Sequence, residues 1–344
     1  MKVDAMLRGN NPSEIAEDAR ARERAGFDGI WTTETNHDPF LPLVVAAEHT
    51  DRVQLGTAIA VAFARSPMTL AYTSHDLQVL SRGRFVLGLG SQVAAHVRHR
   101  FSMPWSHPAR RMREYVQALR AIWAAWNTGE PLRFRGEFYS HVLMTPFFSP
   151  PPSPWGPPRV HLAAVGDQMT QVAGELCDGL LAHSFTTPTY LRERTLPALE
   201  RGLREAGRTR GDVEVGLSVF VVTGRTSEEL VQAARAVREQ IAFYASTPSY
   251  RAVLELHGWS VLGEELSRLA RSGEPDVWRR MGELIDDTVL EAFAVVAEPD
   301  RVGAAILERF SGLVDRLSIL APYPHDDELF APAIDTLRAG HRSV

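Results

Sequence analysis

Short apolar runs alternate with amphipathic stretches along most of the 344-residue chain. The run KVDAML precedes PSEIAEDARARERAG, and FDGIWTTE precedes a loop and the helical PFLPLVVAAEHT. The order returns as VQLGTAIAVA before MTLAYTSHDLQVLS, and as RFVLGLGS before ARRMREYVQALRAIWAAWNTG. The later half supplies RVHLAAV before MTQVAGELC, DGLLAHSF before TYLRERTLPALERGLREAG, VEVGLSVFVVT before SEELVQAARAVREQIAFYA, and VDRLSILAPY before DDELFAPAIDTLRAG. Apolar runs of this length predict strands, and apolar positions recurring every three or four residues predict helices. Strands separated by helices favour parallel pairing, because a parallel crossover takes a dozen or more residues and usually fills them with a helix. Eight such units predict an α/β fold, a closed (β/α)8 barrel of about 250 residues plus insertions.

Two segments hold the surplus. Residues 136 to 158, GEFYSHVLMTPFFSPPPSPWGPP, are too rich in proline for a helix or a central strand and predict a long loop before strand five. Residues 245 to 292 keep a helical period and predict a helical insertion between strands seven and eight, within one domain covering 1 to 344. In a barrel the functional loops follow the C-terminal ends of the strands, which is where candidate chemistry belongs.

Composition narrows the partners. Hydrophobic residues make up 44% of the chain, enough for a large core. A net charge of -5 with no basic stripe argues against nucleic acid as a partner. The single cysteine, Cys177, excludes an internal disulfide framework and fits a reducing cytoplasm, where it packs as a small apolar side chain. The start, MKVDAMLRGNN, lacks the pattern of a signal peptide, and no apolar run approaches the roughly 20 residues that cross a bilayer. The expectation is a cytoplasmic protein that handles a small organic molecule and binds neither membrane nor nucleic acid.

After strand two, Glu34, Asn36, His37 and Asp38 gather acid, amide and imidazole within five positions. Such a set suits proton transfer or the holding of a polar ring, and it equally suits a turn that caps the next helix. After strand three, GTAIAVAFARSP runs on through small residues that leave room for a flat ligand, or that simply form an apolar strand and its exit. Strand four ends in LGLGSQVAAH, where the Gly-x-Gly-Ser turn with Ser91 and Gln92 could bring backbone close to a ligand; the spacing is not that of a dinucleotide fingerprint. The segment AAHVRHRFSMPWSHP carries His96, Arg98, His99, Arg100, Trp105 and His107. His96 and His99 share a helical face but have no third ligand at a recognisable spacing, so no metal is predicted. Nucleophile-elbow, zinc-protease and phosphate-loop motifs are absent from the sequence.

VHLAAVGDQMTQ is the remaining local feature: a strand, a turn, and a helix from Asp167. A helix start presents unpaired N–H groups and a positive dipole end, which favour a phosphate, and barrels often bind phosphate on late strand-to-helix turns. The small residues Ala163, Ala164 and Gly166 leave the backbone open; the alternative is a plain connection capped by Asp167.

Together AGFDGIWTTE, VQLGTAIAVAFARSP, SRGRFVLGLGSQV, RMREYVQALRAIW and PPRVHLAAVGDQMTQVAGELCDGLLAHSF resemble, in this order, the bacterial luciferase-like flavin and deazaflavin oxidoreductases. The resemblance is greatest to the coenzyme F420-dependent branch and covers nearly the whole chain except 245 to 292. It implies a (β/α)8 barrel, usually a homodimer, that binds F420 at its C-terminal mouth and moves a hydride between the ring carbon C5 and an organic substrate. The phosphate would lie by Ala163, Ala164, Val165, Gly166 and Asp167, with His183 and Ser184 nearby. Asn36, Ser91 and Gln92 join the implied cofactor contacts, as do Ala58, Ile59 and Ala60, with a cis peptide expected at Ala58–Ile59. The acid–base group would be His37 or Glu34, and Trp105 and His107 would shape the substrate side.

This chain departs from the family pattern twice. Acid and histidine are adjacent in many members, whereas Glu34 and His37 are separated by Thr35 and Asn36; and Val93 stands where sugar-phosphate-oxidising members have a glutamate. The resemblance leaves two further readings, an FMN-dependent monooxygenase and a non-catalytic barrel that holds a flavin or deazaflavin.

Overall fold

The computed structural model describes residues 1–341. The strands are β1 (Lys2–Met6), β2 (Gly29–Thr32), β3 (Gln54–Thr57), β4 (Phe85–Gly90), β5 (Arg159–Ala164), β6 (Gly179–Ala182), β7 (Glu214–Val222) and β8 (Arg316–Leu320). The pairings from β1 through β5 and that of β7 with β8 are parallel, and with the helices between them the eight strands make a (β/α)8 barrel. The eight runs picked out by the apolar pattern are these eight strands.

The chain divides into two compact units. The larger comprises residues 4–181 and 198–214. It contains α1 (Pro12–Ala25), α2 (Leu41–Glu48), α3 (Pro67–Leu80), α4 (Ala94–His99), α5 (Pro108–Thr128) and α6 (Asp167–Leu176). Its register sets Ala5 opposite Ile30, Trp31 opposite Gly56, Leu55 opposite Phe85, and Gly88 opposite His161. Leu87 and Leu89 of β4, like Val160 and Leu162 of β5, are fully buried, as expected of parallel strands covered on both faces. Helix starts follow local chemistry: Ser66 accepts the Thr69 N–H at 3.1 Å and Pro67 takes the first helical position.

Within this unit the segment 136 to 158 is irregular apart from one 3-10 turn, Pro146–Phe148, and a two-residue strand, Ser140–His141, that pairs with Phe134–Arg135. A buried carboxylate organises its beginning. Glu114 on α5 accepts the N–H groups of Glu137 at 2.8 Å and Phe138 at 2.7 Å, and that of Tyr139 as well.

The smaller unit comprises, among the described residues, 1–3, 182–197 and 215–341. Here β7 and β8 pair with Gly216 opposite Arg316, and the short strand Ala294–Val296 extends the far end of β7 at Phe220. The helix α7 (Leu196–Glu205), most of which belongs to the larger unit, precedes β7, and α8 (Ser227–Ala245) follows it; four short helices come next, α9 (Arg251–Leu256), α10 (Ser260–Ala270), α11 (Val277–Glu283) and α12 (Asp287–Phe293). The last two helices are α13 (Val302–Phe310) and α14 (Ala331–His341). No helix among the described residues is long and apolar enough to cross a membrane.

Candidate active site

Strand three departs from the continuous run that its sequence predicts. β3 ends at Thr57, the Ala58–Ile59 peptide bond is cis, and Ala60–Val61 then pairs with the end of β4, Ala60 opposite Leu89. Two glycines of LGLG make this possible. A Cβ on Gly88 would stand 1.7 Å from the Thr57 carbonyl oxygen, and one on Gly90 would stand 2.8 Å from the Ile59 side chain. Thr57 Oγ1 fixes the contact by donating to the Gly88 carbonyl at 2.6 Å and accepting the Gly88 N–H at 3.0 Å. The glycines therefore serve the packing of strand three, a role that the Gly-x-Gly-Ser pattern does not disclose.

The loop after β2 is tied to this segment by Glu34. Its backbone N–H donates to the Ile59 carbonyl at 3.2 Å, and its carboxylate accepts the Val61 N–H at 2.7 Å. The same carboxylate oxygen meets the Arg65 guanidinium at 2.7 Å, and Arg65 also reaches Asp38 at 3.3 Å. Burial opposes the charge of Arg65, but the two carboxylates outweigh it and hold its pKa above the usual arginine value. Asp38 accepts the N–H groups of Phe40 and Leu41 at 2.8 and 3.2 Å, so it does build the turn into α2. Thr35 donates to the Asn36 side-chain oxygen at 3.0 Å. His37 stands exposed between them, with no hydrogen-bond partner among the described residues. Glu34 is thus buried and doubly engaged, whereas the His37 imidazole is exposed.

Beyond β4, Ser91 donates to the Gln92 carbonyl, Gln92 adopts φ +59°, and its side chain accepts the Val93 N–H at 3.0 Å. Arg100 donates to the Thr35 carbonyl, joining this segment to the loop after β2. Trp105 meets Phe63 edge-on at 5.6 Å, and Arg111 stacks on the same Phe63 ring at 4.7 Å. His107 is exposed and precedes α5, its ring 6.0 Å from Phe138.

Ala163 and Ala164 close β5, and α6 starts at Asp167 after Val165 and Gly166. Gly166 has φ -95°, which any residue adopts, and an added Cβ would meet nothing within 4 Å. The protein itself has no need of glycine there; the turn is open. Asp167 is drawn to Arg201 at 3.3 Å, which balances its charge. Cys177 is buried, and burial pushes its thiol up to about 12, the inert apolar role expected of it.

In the smaller unit, His183 and Ser184 follow β6 and join an aromatic cluster. The Phe185 backbone N–H donates to His183 Nδ1 at 3.0 Å, and His183 Nε2 lies 3.1 Å from the Tyr250 hydroxyl. Tyr250 stacks on His183 with centroids 4.6 Å apart, and Tyr244 meets it edge-on at 4.7 Å. The Ser184 hydroxyl is hydrogen-bonded to Tyr244. Burial lowers His183 to about 4 and raises Tyr250 to about 12, so both are neutral near pH 7. Phe185 stacks on Phe293 at 4.4 Å, and Thr187 bonds His257 at 2.8 Å. Arg65, Tyr244 and Tyr250 are not among the residues that the sequence singles out. Arg65, the one charge in AVAFARSP, was the only available signal, since the two tyrosines lie in helical segments far along the chain.

The strand ends of this barrel carry an acid, an imidazole, a cis peptide and an open helix start, and strand ends are where barrel enzymes place their functional groups. The chain belongs to the luciferase-like monooxygenase family, whose pattern matches residues 2–316. An uncharacterized protein of Mycobacterium tuberculosis is 55% identical over 317 residues, 92% of each chain. An F420-dependent glucose-6-phosphate dehydrogenase of Amycolatopsis mediterranei is 27% identical over 335 residues, covering 93% of this chain and 91% of the relative. Among solved structures, the coenzyme F420-dependent tetrahydromethanopterin reductase of Methanopyrus kandleri has the same fold, with a TM-score of 0.79, 19% identity and 98% of both chains covered.

Proposed function

We propose that this protein is a coenzyme F420-dependent oxidoreductase that transfers a hydride between the deazaflavin and a small organic substrate, as a reductase or dehydrogenase rather than a monooxygenase. The observation that carries the reading is the open turn at Gly166, on a chain that aligns almost end to end with F420-dependent enzymes. The residues present fit such a cofactor. Ala163, Ala164 and Gly166 keep side chains out of the helix start, where unpaired N–H groups favour a phosphate, and Asp167 is held by Arg201. Ala58 and Ile59 are half-buried and offer an apolar surface to a flat ring, whereas Ala60, expected beside them, is fully buried behind it; Ser91 and Gln92 follow the adjoining strand. When bound, the deazaflavin supplies a two-electron hydride carrier at C5.

The chain's own residues then orient the substrate, exclude water and move a proton. His37 is the proton partner, and Glu34 holds its loop against the strand-three segment through Val61 and Arg65. Trp105 and His107 shape the substrate side. Titration of the purified protein with F420 and with FMN, read by quenching of each cofactor's fluorescence, tests the reading. Saturable quenching of F420 supports it; tight binding of FMN with none of F420 overturns it in favour of an oxygen-using flavin enzyme.

The chain also reads as one half of a homodimer. Leu41 and Val44 of α2 and Val79 and Leu80 of α3 are 69%, 41%, 42% and 53% exposed on neighbouring helices. An apolar surface of this kind on a soluble protein favours an interface, and a two-fold dimer is the commonest way to cover it.

A further inference from the structure

An apolar band crosses the outside of the larger unit. From Phe138 to Pro158 the chain carries no Asp, Glu, Lys or Arg, yet Leu143, Phe147 and Phe148 are 77%, 88% and 61% exposed. This arm is fastened between α3 and α5. The Tyr72 hydroxyl of α3 donates to the Phe148 carbonyl at 2.6 Å, and Trp126 Nε1 of α5 donates to Met144 Sδ at 3.4 Å. Farther along, the Trp155 side chain covers Gly83, where a Cβ would stand 3.0 Å from it. On the other side of α3, α2 packs between α3 and α1. A groove of about 590 Å³ opens there, with Pro12, Ala16, Val44, Ala47 and Leu80 among its walls and Glu17, Glu48 and Arg20 beside them. The exposed Leu41, Val44, Val79 and Leu80 occupy the helices between groove and arm.

We propose that two copies of this chain exchange their proline-rich arms, Phe147 and Phe148 of each entering the groove between α1 and α2 of the other. The inference rests on the homodimer reading and deepens it by naming the arm and the groove as the parts that lock together. Exposed aromatic side chains on an uncharged segment leave water only by entering an apolar concavity, and the groove is of ligand-pocket volume, ample for two rings. A two-fold axis midway between arm and groove carries each arm onto the other copy's groove and lays the apolar faces of α2 and α3 together in the same contact. Charge agrees with this pairing. Glu17 and Glu48 outnumber Arg20 at the groove, whereas Arg133 and Arg135 line a cavity at the base of the arm beside Val142, and none of the five forms an ion pair among the described residues. An acidic rim and a basic arm root complement one another across the interface. An anionic bilayer is a poorer cover for the arm, since the chain carries a net charge of -5 and no basic stripe.

The test places the photo-crosslinking residue p-benzoylphenylalanine at position 147 of the full chain, mixes ordinary with isotope-labelled protein, irradiates, and maps the products by mass spectrometry. The expected product joins residue 147 of one isotopic form to residues 12–20 or 44–49 of the other. In parallel, Phe147→Ser combined with Phe148→Ser is expected to weaken the dimer at least tenfold in sedimentation, because the buried aromatic area is lost from both arms. Circular dichroism should not change, since both side chains are exposed in the single chain. If the double variant folds poorly, the cross-link, which keeps an aromatic ring at 147, decides alone. Cross-links confined to one chain, or reaching other parts of the second copy, overturn the proposal. So does flotation with phosphatidylglycerol vesicles that depends on Phe147 and Phe148, which would assign the arm to a lipid surface. A dimer that Val44→Glu with Leu80→Glu abolishes but the serine pair leaves equally tight removes the arm exchange alone. A native protein that sediments as a monomer at every concentration removes both the exchange and the homodimer reading.

Discussion

Glu34 and Arg65 meet at 2.7 Å in a largely buried pair that also captures the Val61 N–H. Two elements distant in sequence are thus joined by a carboxylate that the residue pattern offered as an acid–base group. The pairing predicts a structural phenotype. Glu34→Ala, which leaves the Arg65 guanidinium without its nearer partner, should cost about 2–3 kcal/mol of stability in urea unfolding, and Glu34→Gln roughly 1 kcal/mol. Loss of turnover by Glu34→Gln with unchanged stability and cofactor affinity would restore Glu34 to the chemistry.

His37 gives the opposite expectation. It is exposed and engages no described residue, so His37→Ala should change stability by less than about 0.5 kcal/mol. F420 affinity should stay the same while kcat falls roughly a hundredfold, the ordinary contribution of a general acid or base. Full turnover by this variant would remove the role.

Two glycines separate packing from ligand contact. Gly88→Ala forces a Cβ to within 1.7 Å of the Thr57 carbonyl and should cost roughly 3 kcal/mol or prevent soluble expression. Gly166→Ala meets nothing within 4 Å and should leave the melting temperature nearly unchanged, yet weaken F420 about fivefold or more by narrowing the phosphate turn. Equal F420 affinity in Gly166→Ala and the native protein would argue for a plain connection.

Burial of His183 makes stability depend on pH. Its folded pKa is lowered to about 4 from an ordinary 6.5, so between those values the unfolded chain binds the extra proton. The contribution is fully present above about pH 6.5 and is lost as pH falls toward 4, with a ceiling of roughly 3 kcal/mol. His183→Asn should therefore lose less stability than the native protein when melts at pH 7 and pH 4.5 are compared. His141 and His257, also lowered by burial, are common to both proteins and cancel in the difference.

The exposed faces of α2 and α3 predict a dimer by light scattering. Val44→Glu combined with Leu80→Glu should yield a monomer, because two charges would have to be desolvated in the interface. A monomeric native protein would leave those side chains as ordinary surface.

The sequence by itself determined the eight strands and the helices between them, because apolar periodicity reports which residues must leave water and each crossover helix enforces parallel pairing. It also located the helix start at Asp167 and, through its resemblance, the cis bond at Ala58–Ile59. What it could not contain was pairing at long separation. Glu34 with Arg65, Gly88 with Thr57 and His183 with Tyr250 lie 31, 31 and 67 positions apart. A carboxylate, a glycine or an imidazole has the same symbol whether it meets solvent, a carbonyl or a phenol. Only the tertiary structure decides between them, since the proton affinity and free hydrogen-bonding capacity of a side chain are set by what packs against it.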